Sequence, residues 1–411
     1  MKRQPTSYPR DRVKILLLEN LAESAVEEFE SHGYTSIKRL SNALAEDELI
    51  KAIKGVHILG IRSKTQITDA VLAAADKLLA VGCFCIGTNQ VDLEAATKKG
   101  VAVFNAPYSN TRSVAELVIG LFVMLIRRIP DKNLAAHQGT WLKDAAGSFE
   151  LRGKKLGIIG YGNIGSQVSV LAEAMGMDVH YYDIETKLPH GNATQSKSLK
   201  DLLKQSDIVT LHVPSDETTR YMINPETLKG MKRGAILVNY SRGDVVDLDA
   251  LKKRLDKGNL SGAAIDVYPE EPKKKGDDFD CGLKGLSNVI LTPHIGGSTQ
   301  EAQTSIGVDA ASKLIKYLEF GTTTGSHSIP QVSLPPQAGT HRILHIHENI
   351  PGVLSDINTE LSEEGINIVG QYLSTNPEVG YVILDIDSDL SKKAFEILKK
   401  IPGTIKIRMV Y

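Results

Sequence analysis

The segment Gly160-Tyr161-Gly162-Asn163-Ile164-Gly165 constrains this chain more than any other. It follows the apolar run Leu156–Ile159 and opens a helical stretch through Met175, so strand, glycine turn and helix come in immediate succession. In that context Gly160 permits a tight turn, Gly162 lets backbone approach a pyrophosphate, and Gly165 allows the helix to pack closely on the strand. Free amides at the helix start, with Asn163 and Ile164 in its first turn, then suit phosphate. Asp183 ends the next strand, Val179–Asp183, at about the 20-residue distance where a carboxylate meets a ribose 2′-hydroxyl and repels a 2′-phosphate. NAD rather than NADP is the expected cofactor. The other reading of Asp183 is a cap on the following turn, and Lys187 leaves slight room for dual cofactor use.

The rest of the chain supplies a matching framework. Val13–Leu18, Val56–Arg62, Leu78–Ile86 and Val101–Ala106 are short aliphatic runs separated by amphipathic stretches such as 22–32 and 46–54. That alternation predicts a parallel sheet with helices on its faces. Ser113–Arg128 follows as one long apolar helix, with Ser113 as candidate N-cap and Arg127 and Arg128 suited to its negative end. A second set of strands comprises Leu156–Gly160, Val179–Asp183, Ile208–Val213, Ala235–Asn239, Ala263–Val267 and Val289–Thr292. These runs are mostly continuously apolar, as in strands buried on both faces. The helical stretch Gln300–Phe320 is expected to return to the first sheet. Gly321–Thr340 is rich in Gly, Ser, Thr and Pro and reads as a linker. Beyond it, 342–347, 351–364, 367–374, 381–387, 391–400 and 404–410 alternate as βαββαβ, a ferredoxin-like order in a separate small domain. The fold class is therefore α/β, with two doubly wound parallel-sheet domains and a ferredoxin-like tail. The first domain comprises 13–110 with 298–330, the second 111–297 and the third 341–411.

Composition narrows the partners. With 48 basic against 49 acidic residues there is no electrostatic footprint for nucleic acid or a membrane surface, so a small-molecule substrate is favoured. The longest apolar run, Leu117–Ile126, is far short of the roughly 20 residues of a spanning helix. Met1–Arg12 is basic, holds Pro5 and Pro9, lacks the apolar core of a signal peptide, and reads as a disordered leader. Cys83, Cys85 and Cys281 contain no C-x-x-C pair and are expected as reduced packing residues of a cytoplasmic protein.

Three polar residues stand just past strands: Arg242 in Ser241-Arg242-Gly243, Glu271 in Asp266-Val267-Tyr268-Pro269-Glu270-Glu271-Pro272, and His294 in Thr292-Pro293-His294-Ile295-Gly296-Gly297. Strand C-terminal ends are where such sheets bind ligands. Oxidation of a 2-hydroxyacid needs a cation for the carboxylate, a base for the hydroxyl proton and a group that orients the base. Arginine, histidine and glutamate supply these in turn. Singly, each residue could be a solvated surface charge.

Together with the glycine turn, these segments resemble the D-isomer-specific 2-hydroxyacid dehydrogenase family over about Val13–Phe320. The resemblance implies that Arg242 polarises the substrate carbonyl and holds its carboxylate, and that His294 is the acid-base. Glu271, the position just before proline rather than Glu270, would hydrogen-bond the imidazole and raise its pKa. The resemblance also puts Asp266 near the nicotinamide carboxamide and His212, Val213 and Pro214 on the adenosine side. Ser241, Arg242, His294, Gly296 and Gly297 complete the cofactor contacts, with the two glycines at a hinge.

Substrate contacts are expected from the first domain across a cleft. Gly60-Ile61-Arg62-Ser63-Lys64-Thr65 offers a cation and hydroxyls just beyond a strand. The run 105–113 is close to the form found in members that oxidise 3-phosphoglycerate at the head of serine synthesis. By that likeness Asn110 meets the substrate carboxylate and Arg62 and Ser63 the substrate anion, with Arg39 and Lys64 as further phosphate partners. The tail resembles an ACT domain through 345–354, His-Ile-His-Glu-Asn-Ile-Pro-Gly-Val-Leu. This implies L-serine as effector, held by His347, Asn349 and Asn367 at paired copies, and a homotetramer. Alternatives within the fold are a glyoxylate or 2-oxoglutarate reductase and an NAD-sensing corepressor.

Overall fold

A computed structural model describes residues 8–272 and 276–411. The chain divides into two compact units, Asn110–Ala302 and a unit built from Met1–Ser109 with Gln303–Tyr411. The strands, in chain order, are β1 (Ile15–Leu17), β2 (Ile37–Arg39), β3 (Ile58–Ile61), β4 (Ala80–Cys83), β5 (Ala102–Asn105), β6 (Lys155–Ile159), β7 (Asp178–Tyr182) and β8 (Thr194–Gln195). They continue with β9 (Ile208–Leu211), β10 (Ala235–Asn239), β11 (Leu260–Ile265), β12 (Val289–Leu291), β13 (Thr340–Glu348), β14 (Ile368–Thr375), β15 (Val379–Asp387) and β16 (Thr404–Val410). No helix among the described residues is long and apolar enough to cross a membrane.

The unit Asn110–Ala302 holds a seven-stranded parallel sheet in the order β12-β11-β10-β9-β6-β7-β8. Chain order reverses between β9 and β6, and at such a switch point the loops beyond the strand ends part to leave a crevice. Full burial of β9 and β10 accounts for their unbroken apolar runs. The long apolar helix starts at Thr111, with Asn110 at its cap, rather than at Ser113. The Ser113 hydroxyl is instead engaged with that of Thr299 at 2.8 Å.

The other unit holds two sheets. The first is parallel, β2-β1-β3-β4-β5; its strand β2 is mostly exposed and so carries no apolar run in the sequence. The second is antiparallel, β14-β15-β13-β16, with the helices Val353–Glu363 and Ser391–Leu398 covering one face through Ile357, Leu361, Ala394 and Leu398. The opposite face is not free. Leu344, Ile346, Val379, Tyr381, Ile383 and Val410 lie in one continuous core with Ile15, Phe29, Phe104, Leu314 and Tyr317. At about 1.5–3 kcal/mol per buried side chain, that face contributes on the order of 10 kcal/mol, comparable with the net stability of a whole domain.

Two expectations are corrected here. The supposed linker is a packed element: Thr323, Ser328, Ile329 and Val332 are buried, Ser328 Oγ donates to Val101 O, and His327 N donates to Val103 O along the edge of the first sheet. Its hydroxyls and carbonyls satisfy one another, so a polar composition could be buried. The four-stranded sheet of the tail thereby shares a core with the first sheet. Buried Arg342 reinforces the join, pairing both oxygens of Asp385 at 2.7 Å and donating to the carbonyls of Phe320, Leu334 and Pro335. Of the basic leader, residues 1–7 lie outside the described residues, while Arg10 is ordered against Glu319 at 2.9 Å and the His32 carbonyl.

Candidate active site

Five strand ends of the seven-stranded sheet carry the polar residues singled out above. Arg242 follows β10, Asp266 and Glu271 follow β11, His294 follows β12, and the glycine turn and His212 follow β6 and β9. The carboxylate oxygens of Glu271 lie 2.9 and 3.0 Å from His294 Nδ1. A carboxylate only accepts, so Nδ1 carries a proton and Nε2 is left for chemistry. The hydrogen bond that His294 donates to Glu271 raises the His294 pKa, against a lowering by burial and by the Arg242 charge. Burial pushes the Glu271 carboxyl up, yet His294, the Tyr268 amide and Arg242 together hold it below its ordinary value. Both shifts favour an ion pair whose proton sits on the imidazole.

His294 adopts a left-handed backbone, φ +53°, an uncommon state for a residue with a side chain. Asp266 holds it there. Its Oδ1 accepts from the Ile295 amide and the Thr292 hydroxyl, its Oδ2 accepts from the Gly296 amide, and its own carbonyl accepts from the His294 amide. Tyr240 reaches Thr292 Oγ1 at 2.6 Å, completing a partly buried chain of hydroxyls that leads to Asp266. On the other side, a Cβ on Gly243 would fall 2.0 Å from the Tyr268 carbonyl. The Arg242 loop can therefore lie directly on the Glu271 loop only because the residue after the arginine is glycine.

The glycine turn has the geometry its spacing implies. Gly160 has φ +89°, and a Cβ there would lie 2.5 Å from the His212 carbonyl; on Gly165 it would lie 2.1 Å from Gly160 O. A Cβ on Gly162 would meet nothing within 4 Å, so the space above the turn is open beside the first amides of the helix Asn163–Ala174. Half-buried Asp183 accepts from the Tyr161 and Glu185 amides with one oxygen each, which ties it to the turn and leaves further lone pairs. His212, driven down to about 3 by burial, stays neutral.

Residues 119–296 match the NAD binding domain of the D-isomer specific 2-hydroxyacid dehydrogenases, and residues 343–406 match the acetohydroxyacid-synthase small-subunit-like ACT domain. A D-3-phosphoglycerate dehydrogenase of Escherichia coli strain K12 is 53% identical over 407 residues, covering 98% of this chain and 99% of its own. The chain belongs to the D-isomer-specific 2-hydroxyacid dehydrogenases. A D-3-phosphoglycerate dehydrogenase of Dictyostelium discoideum is 50% identical to this dehydrogenase over 99% of both chains. A D-lactate dehydrogenase from Aquifex aeolicus, solved with NAD and lactic acid, superposes with a TM-score of 0.66 at 27% identity, covering 77% of this chain and all of its own. NAD fits the open glycine turn and Asp183, and it is the cofactor of this dehydrogenase.

Asn110 occupies the N-cap position of its helix without a side-chain cap bond, and its side chain lies against Gly297, where a Cβ would fall 2.1 Å from Nδ2. Its Oδ1 is buried without a hydrogen-bond partner, an unspent capacity of the kind ligands use. In the other unit, Arg62, Ser63 and Lys64 directly follow β3. Their loop is organised by a residue that belongs to none of the motifs: Glu19 Oε1 accepts from the Arg62 and Thr65 amides at 3.2 and 2.9 Å, and Oε2 accepts from the Lys64 amide at 3.1 Å. Gln90 Nε2 donates to Arg62 O at 2.7 Å. The signal was a lone carboxylate one step past the buried run Ile15–Leu18. Arg39 is engaged by Glu23 and the Leu21 carbonyl.

The regulatory set is brought together only in part. His347 is buried over Gly380, with Nδ1 on Glu348 O and Nε2 unpartnered, and Asn349 donates to Asn376 O nearby. Asn367 precedes Ile368, which pairs with Ile386, whereas His347 pairs with Gly380. Six residues at about 3.3 Å each put Asn367 roughly 20 Å away, at the other end of the sheet.

Proposed function

We propose that this dehydrogenase oxidises 3-phospho-D-glycerate to 3-phosphohydroxypyruvate, the opening step of L-serine synthesis, as a cytoplasmic homotetramer restrained by L-serine. The observation that carries the catalytic reading is the Glu271–His294 pair with Arg242 in its field. NAD, when bound, supplies the hydride acceptor. His294 Nε2 takes the proton of the 2-hydroxyl as the carbonyl forms, and Glu271 stabilises the imidazolium that results. Arg242 and Asn110 hold the substrate carboxylate, and Arg62 and Ser63 hold the phosphate end. The names of the full-length relatives support this substrate among the family's hydroxyacids. The separation of Asn367 from His347 and Asn349 supports a serine site completed by a second copy, since two sheets pairing side by side through antiparallel β14 edges would bring opposite ends together and unite the halves. Initial rates with NAD on 3-phosphoglycerate, lactate, glycerate and 2-hydroxyglutarate, with and without L-serine, test the reading. It fails if 3-phosphoglycerate is not preferred.

A further inference from the structure

Where β16 meets the first sheet, a cavity of about 530 Å³ opens between the two parts of the same unit. One wall is Lys406 and Ile405 of the C-terminal sheet; the other includes Lys77, from the turn that enters β4, and Lys98 and Lys99, at the end of the helix that precedes β5. Lysines suit the ends of the helices Asp69–Ala74 and Leu93–Lys98, whose last carbonyls are negative, so three of the four could be there for that reason alone. Lys406 could not. It projects from a strand, and its ammonium donates to a single backbone carbonyl, Leu78 O, at 2.8 Å. Three donors with one neutral acceptor leave most of its capacity unspent. Among the described residues, Lys406, Lys77 and Lys99 form no ion pair, and only Lys98 has a carboxylate, that of Glu94.

We propose that this cavity binds a small anion carrying two or more negative charges, through phosphate or carboxylate oxygens shared between Lys406 and the lysines opposite. The anion bridges the C-terminal sheet to the first sheet and is an effector site separate from the candidate active site and from the His347–Asn349 region. The charge pattern supports it. Burial, followed by the nearby Arg408, brings the Lys406 pKa down to about 8, the response of a cation without a counter-charge. Asp76, the acidic residue of the lining, has its carboxylate on the Gly55 amide at 2.6 Å. Lys98 feels Glu94, Asp92 and Glu378, and Lys77 lies beside the Asp76 carboxylate, leaving Lys406 and Lys99 as the lining cations without a carboxylate of their own among the described residues.

The test is calorimetric titration of the full chain with inorganic pyrophosphate and, separately, with citrate. Arg62→Gln serves as the parent, so that the proposed substrate site does not contribute. One anion per chain is expected to bind. Lys406→Met, or Lys77→Gln with Lys99→Gln should the first not fold, is expected to weaken it 10-fold or more. Tighter pyrophosphate assigns phosphate recognition; tighter citrate assigns carboxylate recognition. At pH 8.5 binding should take up a proton as Lys406 recharges, seen as a dependence of the heat on buffer ionisation enthalpy, and Lys406→Arg should bind without that uptake. No binding of either probe at millimolar concentration, or binding unchanged in the lysine variants, overturns the proposal.

Discussion

Glu271 holds His294 Nδ1 with both of its carboxylate oxygens, at 2.9 and 3.0 Å, so the tautomer and the basicity of the imidazole depend on one neighbour. In the oxidation direction neutral His294 is the active form. Glu271→Gln removes the charge that favours imidazolium, so the low-pH arm of the oxidation profile moves to lower pH while activity persists. His294→Asn, a residue that also tolerates positive φ, should lose roughly 10²–10⁴ in turnover with NAD affinity retained. Steady-state pH profiles and NAD titrations check both.

Glu19 gathers three amides of the Arg62–Thr65 loop, and an amide side chain in its place would offer one acceptor oxygen and an opposed NH₂. Glu19→Gln should leave that loop partly unsatisfied, at a cost of about 1–3 kcal/mol. The expected kinetic result is a KM for the hydroxyacid raised roughly 10-fold, with the KM for NAD unmoved. Equal changes in both constants would remove Glu19 from substrate positioning.

Asp183 is placed to select the cofactor. Asp183→Ala removes the carboxylate that repels a 2′-phosphate, and the NAD over NADP ratio in kcat/KM should fall by 10-fold or more. It also frees the Tyr161 amide, so some loss with NAD accompanies the gain.

His345 is fully buried, with Nε2 on Thr404 Oγ1, and burial followed by the charge of His347 brings its pKa to about 4. Because the folded value lies below the unfolded value near 6.5, its contribution is complete above pH 6.5 and is lost as pH falls toward 4. At about 1.4 kcal/mol per pKa unit, that window costs roughly 3 kcal/mol. Urea unfolding of wild type and His345→Gln between pH 7 and 4.5 should show a shallower acid decline in the variant.

The shared core changes what truncation can test. Deleting residues from Thr340 onward would expose the partners of Leu344, Tyr381 and Ile383, so the shortened chain is expected to unfold at markedly lower urea. Asn349→Ala and Asn367→Ala, both at exposed positions, are the cleaner probes of serine control. A serine titration should show weakened inhibition in each with turnover retained.

The glycine turn, the strands of the second sheet and the βαββαβ tail were legible because each rests on local rules: a turn that only glycine can make, unbroken apolar runs, and apolar periodicity that switches between two and near four. Arg242, Glu271 and His294 were legible through motif resemblance. Glu19, Tyr240 and Thr292 were not, because their partners are distant in sequence and nothing local distinguishes them from surface polar residues. The packing of 321–332 was illegible for a related reason: its polar groups are satisfied partly by one another and partly by Thr97, Val101 and Val103, more than 200 positions away.

That join has a bearing on how the polypeptide matures. Strands β13, β15 and β16 close the core around Ile15, Phe29 and Phe104, which leave the ribosome well before them. Since synthesis proceeds at roughly 5–20 residues per second, the amino-terminal sheet waits roughly 15–60 s with an apolar surface uncovered. The intervening unit, Asn110–Ala302, has its own core and can fold during that wait. Nascent chains stalled before Thr340 should therefore recruit chaperones to their oldest segment rather than to their newest.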